Sequence, residues 1–160
     1  MIPPPLEGPP VLELIHVFTA HVDIDVPLDL GPVSAGRRRI VPIAGGSVSG
    51  PRLTASILPG GADWQIIRAD GTAEVVARYT LRAADGTFIS VVNKGLRRGP
   101  ADVLARLAAG DAVDPSLYYF RTSPIFDVAP GPHGWLADNI FVATGERHSK
   151  QVVIRVFMLS

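Results

Sequence analysis

At 160 residues the chain is the size of one domain, long enough to bury most of its apolar surface without disulfide or metal staples. Its 15 basic and 15 acidic side chains balance, which leaves no cationic footprint for nucleic acid or for an anionic membrane. Cysteine is absent, so disulfides, thiolate metal sites and cysteine nucleophiles are excluded.

The opening MIPPPLEGPP lacks the charged-then-apolar order of a signal peptide, and no later apolar run reaches the length that spans a bilayer, so a soluble cytoplasmic protein is expected. Five prolines among those residues predict an extended arm over 1–10, with a single β-barrel domain over 11–160. From Val11 a long β-branched run alternates after Phe18: Ala20, Val22, Ile24 and Val26 share one face, and Thr19, His21, Asp23 and Asp25 the other. That is a half-buried strand. The glycine- and proline-rich stretch from Leu30 to Leu53 suits bent strands with bulges and corners.

Next comes a hairpin signature, PGGADWQIIRADGTAEVVARYTLRAADGTF, in which each Asp-Gly pair offers a glycine for the positive φ that tight turns require. TFISVVNKG makes another strand. GPADVLARLAAG predicts the one convincing helix, with Pro100 at its start, Val103, Leu104 and Leu107 on one stripe and Gly110 as its stop; it is short enough to be a lid or plug. LYYFRTSPIFDV, WLADNIFVATGER and KQVVIRVFMLS supply three more strands. The expected fold is all-β: a closed antiparallel up-and-down barrel of about eight to ten strands with one short helix.

The segments GRRRIVPIAGGSVSGPRL, LPGGADWQIIRADGTAEVVARYTLRAADG, NKGLRRGP, YYFRT and ATGER together resemble the domain-of-unknown-function 3237 family, from about Val17 to the C-terminus. That resemblance implies a compact closed β-barrel, cytoplasmic and often oligomeric. It carries no activity with it.

Asp63 is the leading candidate for proton transfer, as a general acid or base in a barrel mouth with its pKa raised by the neighbouring indole of Trp64 and by exclusion of water. The alternative is a turn aspartate capping backbone N–H groups near Gly60 and Gly61. Trp64 can be core or stacking platform. Along the next strand Glu74, Val76, Arg78, Thr80 and Arg82 share one face and Val75, Ala77, Tyr79 and Leu81 the other; which is inside stays open. At YYFRT, Tyr119 and Arg121 alternate with Tyr118, Phe120 and Thr122, so large side chains need burial on both faces, and an outer apolar face implies a homo-oligomer. If they point inward, Arg78 and Arg121 can clamp a carboxylate or polarise a carbonyl.

In the Arg37, Arg38, Arg39 run alternation sets Arg38 opposite its neighbours, which makes it the arginine expected to turn in. Glu146 and Arg147 can act as a second acid and base pair or form an exposed strand-end salt bridge. His21 and Asp23 share a strand face, but no spacing places a third metal ligand; His16 falls with the apolar set as a core histidine, and His133 and His148 sit in turns. No GxSxG elbow or phosphate loop is present.

These residues point to a cofactor-independent acid/base enzyme of lyase, isomerase, cyclase or hydratase type. Asp63, Arg78 and Arg121 would be catalytic, and Trp64, Tyr79, Tyr119, Phe120, Arg38 and Glu146 would bind a small, partly apolar oxygenated molecule. A ligand-binding barrel without turnover and a structural oligomer with a filled lumen are the alternatives.

Overall fold

Ten strands follow one another along the chain in the computed structural model, which describes residues 1–4, 8 and 10–160. They are β1 (Leu14–Ile24), β2 (Leu28–Val33), β3 (Gly36–Ser49), β4 (Ala55–Ile57), β5 (Gly61–Ile67), β6 (Ala73–Ala83), β7 (Phe88–Arg98), β8 (Tyr119–Val128), β9 (Phe141–Arg147) and β10 (Gln151–Leu159). Helix α1 (Ala101–Ala108) separates β7 from β8, and α2 (Trp135–Asp138) separates β8 from β9. The expected arm over residues 1–10 lies partly outside the described residues.

Local chemistry accounts for the hairpins. At the β5–β6 and β6–β7 turns Gly71 and Gly86 adopt φ of 87° and 91°, while Asp70 and Asp85 each accept the backbone N–H two residues on, from Thr72 at 2.9 Å and Thr87 at 3.0 Å. The aspartate satisfies a loop donor and the glycine reverses the chain without a Cβ clash, so both turns form in one geometry.

Every ladder is antiparallel. β4 and β5 occupy successive halves of one slot between β3 and β6, and β1 and β2 flank successive halves of β3 on its other side. Because β1 pairs with both β3 and β10, the sheet closes into an eight-stranded barrel with two further strands. Closure removes the unpaired edges of an open sheet.

One end of the lumen is packed solid. The Phe126 ring lies 5.7 Å from Phe18 and 5.1 Å from Phe141, both edge-on, and Trp135 of α2 approaches Phe141 at 5.9 Å. Outside, the Arg52 guanidinium stacks 4.0 Å over Trp135 and holds α2 across this end. Among the described residues there are therefore two α-helices, and the strand expected from Trp135 begins only at Phe141, because Leu136 is needed in the plug, where it is 1 % exposed.

At the other end α1 buries Val103 and Leu107. It stops at Gly110, whose φ is 83°, as its sequence predicts. His16 is exposed, contrary to its expected core position: the β1–β10 register slips between His16 and Phe18, which turns Val17 and Phe18 both inward. No helix among the described residues is long and apolar enough to cross a membrane.

Candidate functional site

Strand parity selects what enters the lumen. On β7 the inward set runs Ile89, Val91, Asn93, Arg97; on β8 it runs Phe126, Thr122, Phe120; on β9 it runs Phe141, Ala143, Arg147. On β7 and β9 this set is apolar at the plugged end and polar toward α1, whereas on β8 Thr122 is followed toward α1 by Phe120. Above the aromatic plug this leaves a cavity of about 50 Å³, walled by Val22, Ile24, Val41, Ile43 and Ile154 and by the polar side chains of Asp63, Gln65, Tyr79, Asn93, Arg97, Thr122 and Arg147. Phe120 lies flat over Gly145, where a Cβ would stand 2.7 Å from the ring, so the missing side chain makes room for the aromatic face.

Asp63 is the centre of a relay. Its Oδ2 accepts from Gln65 Nε2 at 2.7 Å, and its Oδ1 accepts the Val76 backbone N–H at 3.0 Å. Gln65 Oε1 in turn accepts two bonds from Arg39, at 3.0 Å and 2.7 Å. Burial pushes the Asp63 carboxyl above the usual carboxylate range, opposed by the Gln65 bond, the charge of Arg97 and the Val76 N–H. Burial, and secondarily the charge of Asp63, also raises the Tyr79 phenol, so its hydroxyl stays protonated and available as a donor.

A carboxyl raised on folding favours the native state below the unfolded carboxylate value of about 3.9 and loses that contribution as pH rises through its folded value. The stability of Asp63→Asn therefore improves relative to the unaltered protein as pH rises above the unfolded carboxylate value of about 3.9; thermal melts of the two over a pH series starting there check this, and a difference in Tm independent of pH would overturn it.

Arg97 is 7 % exposed and, among the described residues, makes no hydrogen bond and has no carboxylate within 4.0 Å. Burial, followed by repulsion from Arg39 and Arg147, pushes its pKa down to about 10. Asn93 Oδ1 and Thr122 Oγ1 are likewise buried without a partner. Buried polar groups are normally satisfied, so these three mark unused binding capacity in one cavity.

Of the residues expected at a site, Asp63, Tyr79 and Phe120 line the lumen. Asp63 does not cap the turn at Gly60 and Gly61; it faces inward from β5. The other six sit outside. Arg78, Trp64 and Arg38 share the outer face of β3, β5 and β6 with Glu74 and Val76, because the apolar residues Val75 and Leu81 claim the inner parity of β6. Trp64 is consequently 38 % exposed.

Tyr119 stands outside β8 with the guanidinium groups of Arg98 and Arg121 at 4.3 Å and 5.4 Å from its ring centre, and Arg121 donates to the Phe120 carbonyl at 2.9 Å. Glu146 faces outward and pairs with Arg155 and with His148, in keeping with a strand-end salt bridge. The His21 and Asp23 pair is bridged on the outer face by Gln151.

The inward-facing polar residues that sequence reasoning missed are Arg39, Gln65, Asn93, Arg97 and Thr122, and Arg147, singled out together with Glu146, is the member of that pair that lines the lumen. A signal for most of them existed: extending the inward parity of Val41, Val91 or Ala143 along its own strand reaches Arg39, Arg97 and Arg147.

A closed antiparallel barrel, plugged by aromatics at one end and holding a buried carboxylate among arginines at the other, is the class these residues define. The chain belongs to the family described as "Protein of unknown function (DUF3237)", whose model matches residues 12–159. It is 43% identical over 147 residues to a UPF0311 protein of Bradyrhizobium diazoefficiens, covering 92% of this chain and 96% of that one. The crystal structure of a conserved protein of unknown function from Rhodopseudomonas palustris superposes with a TM-score of 0.90 at 39% identity, over 96% of this chain and 100% of that one. An enzyme from Penicillium herquei shares the fold, with a TM-score of 0.68 at 19% identity over 96% of this chain and 97% of that one.

Proposed function

We propose that the protein is a cofactor-independent acid–base catalyst for a small, partly apolar, oxygenated molecule held in the lumen, with lyase, isomerase, cyclase or hydratase chemistry. The observation that carries this reading is Asp63, a carboxyl in the lumenal cavity with its pKa raised by burial, on the wall shared with the hydroxyl of Tyr79 and the unpartnered oxygens of Asn93 and Thr122. A carboxyl moved toward neutrality exchanges protons efficiently at physiological pH. Tyr79 and Arg97 supply the donor and the positive charge that steady a developing oxyanion, the role expected of Arg78 and Arg121 from the sequence.

A second reading, a barrel that binds without turnover, draws support from the hydrogen bonds that both Asp63 oxygens already accept. Native mass spectrometry of the purified protein separates the two. The retained small molecule is identified and then incubated with fresh protein: conversion supports catalysis, and unchanged release supports storage. A barrel that retains nothing and converts no member of a panel of small oxygenated metabolites overturns both.

The same proposal includes a homo-oligomer. Leu28, Leu30 and Val33 of β2 are 59%, 46% and 40% exposed, and β2 pairs with β3 along one edge only, an arrangement that isolated monomers avoid. Leu30→Glu should lower the native mass to that of a single chain without altering the far-UV spectrum. A single-chain mass for the unaltered protein at micromolar concentration overturns the proposal.

A further inference from the structure

The buried charge at the α1 end is unbalanced. Arg39, Arg97 and Arg147 meet where the lumen opens into a groove of about 540 Å³ beneath α1, and both Arg97 and Arg147 line the lumen and the groove alike. Among the described residues Asp63 is the one carboxylate lining the lumen. Asp29, in the groove, is already paired with Arg37. Arg39 donates from Nε and Nη2 to Gln65, Arg147 donates to the His148 carbonyl at 2.8 Å, and Arg97, whose guanidinium lies 5.7 Å from the Phe120 ring centre, makes no hydrogen bond or ion pair among the described residues. An unpaired buried guanidinium beside two others is unfavourable unless an anion completes it.

We propose that this crossing is a carboxylate-binding site, in which Arg97, flanked by Arg147 and Arg39, receives the carboxylate of a small organic acid whose compact end enters the lumen. This deepens the acid–base reading by naming its substrate class. The planar fork of arginine matches a carboxylate with two parallel bonds, and the aliphatic wall of Val22, Ile24 and Ile154 below favours an organic acid over inorganic phosphate. A second oxygen function on the acid finds its partners deeper in the lumen: a hydroxyl can donate to Asn93 Oδ1, and a hydroxyl or carbonyl can accept from the Thr122 hydroxyl.

The test measures binding of butyrate and 4-hydroxybenzoate against butyramide and 4-hydroxybenzamide by titration calorimetry, with inorganic phosphate as a further ligand. The acids should bind at least about tenfold more tightly than their amides, since loss of one charge-assisted bond is worth roughly that factor. Arg97→Gln should erase the difference, Arg97→Lys should restore part of it, and Tm should hold or rise in Arg97→Gln because no ion pair is broken. Equal binding of acids and amides, binding of neither acid, or tighter binding of phosphate overturns the inference.

The two readings fail separately. If a neutral molecule is turned over and Asp63→Asn abolishes that turnover, proton transfer stands without the carboxylate site. If the acids bind through Arg97 and Asp63→Asn leaves turnover intact, the site stands without Asp63 as the proton carrier.

Discussion

Asp63→Asn should lower turnover by roughly 10²–10⁴-fold while ligand affinity changes little, the loss typical of removing one positioned general acid or base. Asparagine keeps the shape of the side chain and the acceptor for the Val76 N–H, so the contour of the lumen is preserved while the exchangeable proton is lost. The hydrogen bond to Gln65 is reversed in polarity, and Gln65 can meet it only by giving up its bonds to Arg39. Asp63→Glu keeps the acid but moves it by a methylene, and should recover a small part of the rate. Single-turnover kinetics on the molecule identified by mass spectrometry separate chemistry from binding. Unchanged turnover in Asp63→Asn, with the fold intact, would remove Asp63 from the mechanism.

Phe141→Ala should cost about 3–5 kcal/mol of stability, the range for emptying an aromatic site in a packed core. Phe141 is 1 % exposed and makes edge-on contacts with both Phe126 and Trp135, so its loss opens a void on both sides at once. In a domain of this size that corresponds to a fall in Tm of roughly 6–20 °C. The plug lies at the end of the lumen away from Asp63, so ligand affinity well below Tm should persist. A fall in Tm of under about 3 °C would show that the plug repacks.

Much of the barrel is legible in the sequence. The Asp-Gly pairs at 70–71 and 85–86 announce turns by a mechanism confined to four or five residues, and the alternation in Ala20, Val22 and Ile24 reports a half-buried strand directly. Helix α1 was equally readable from Pro100, its apolar stripe and Gly110. Helix α2 was not, because a four-residue turn has no period to detect and its surroundings, PGPHGW, read as loop.

The candidate site was legible in part. Asp63 could be singled out because a lone acid beside double glycine in a strand-rich chain stands apart. Its neighbours could not, because parity gives two sets on every strand and leaves the choice of inner set to the partner across the barrel. The slip at His16 shows how one bulge reverses that choice, and the arginine run shows the same ambiguity: Arg38 does oppose its neighbours, but it is Arg39 that enters.

Composition, turn chemistry and local alternation thus determined that this chain would form antiparallel strands linked by hairpins, since each acts within a few residues and does not depend on what lies opposite; closure itself rests on the pairing of β1 with both β3 and β10. Which side chains share the lumen was decided by tertiary structure alone. Asp63, Asn93, Arg97, Thr122 and Arg147 come from four strands, and they meet because closure fixes one register for all of them, placing a buried acid among arginines that no span of the sequence holds together.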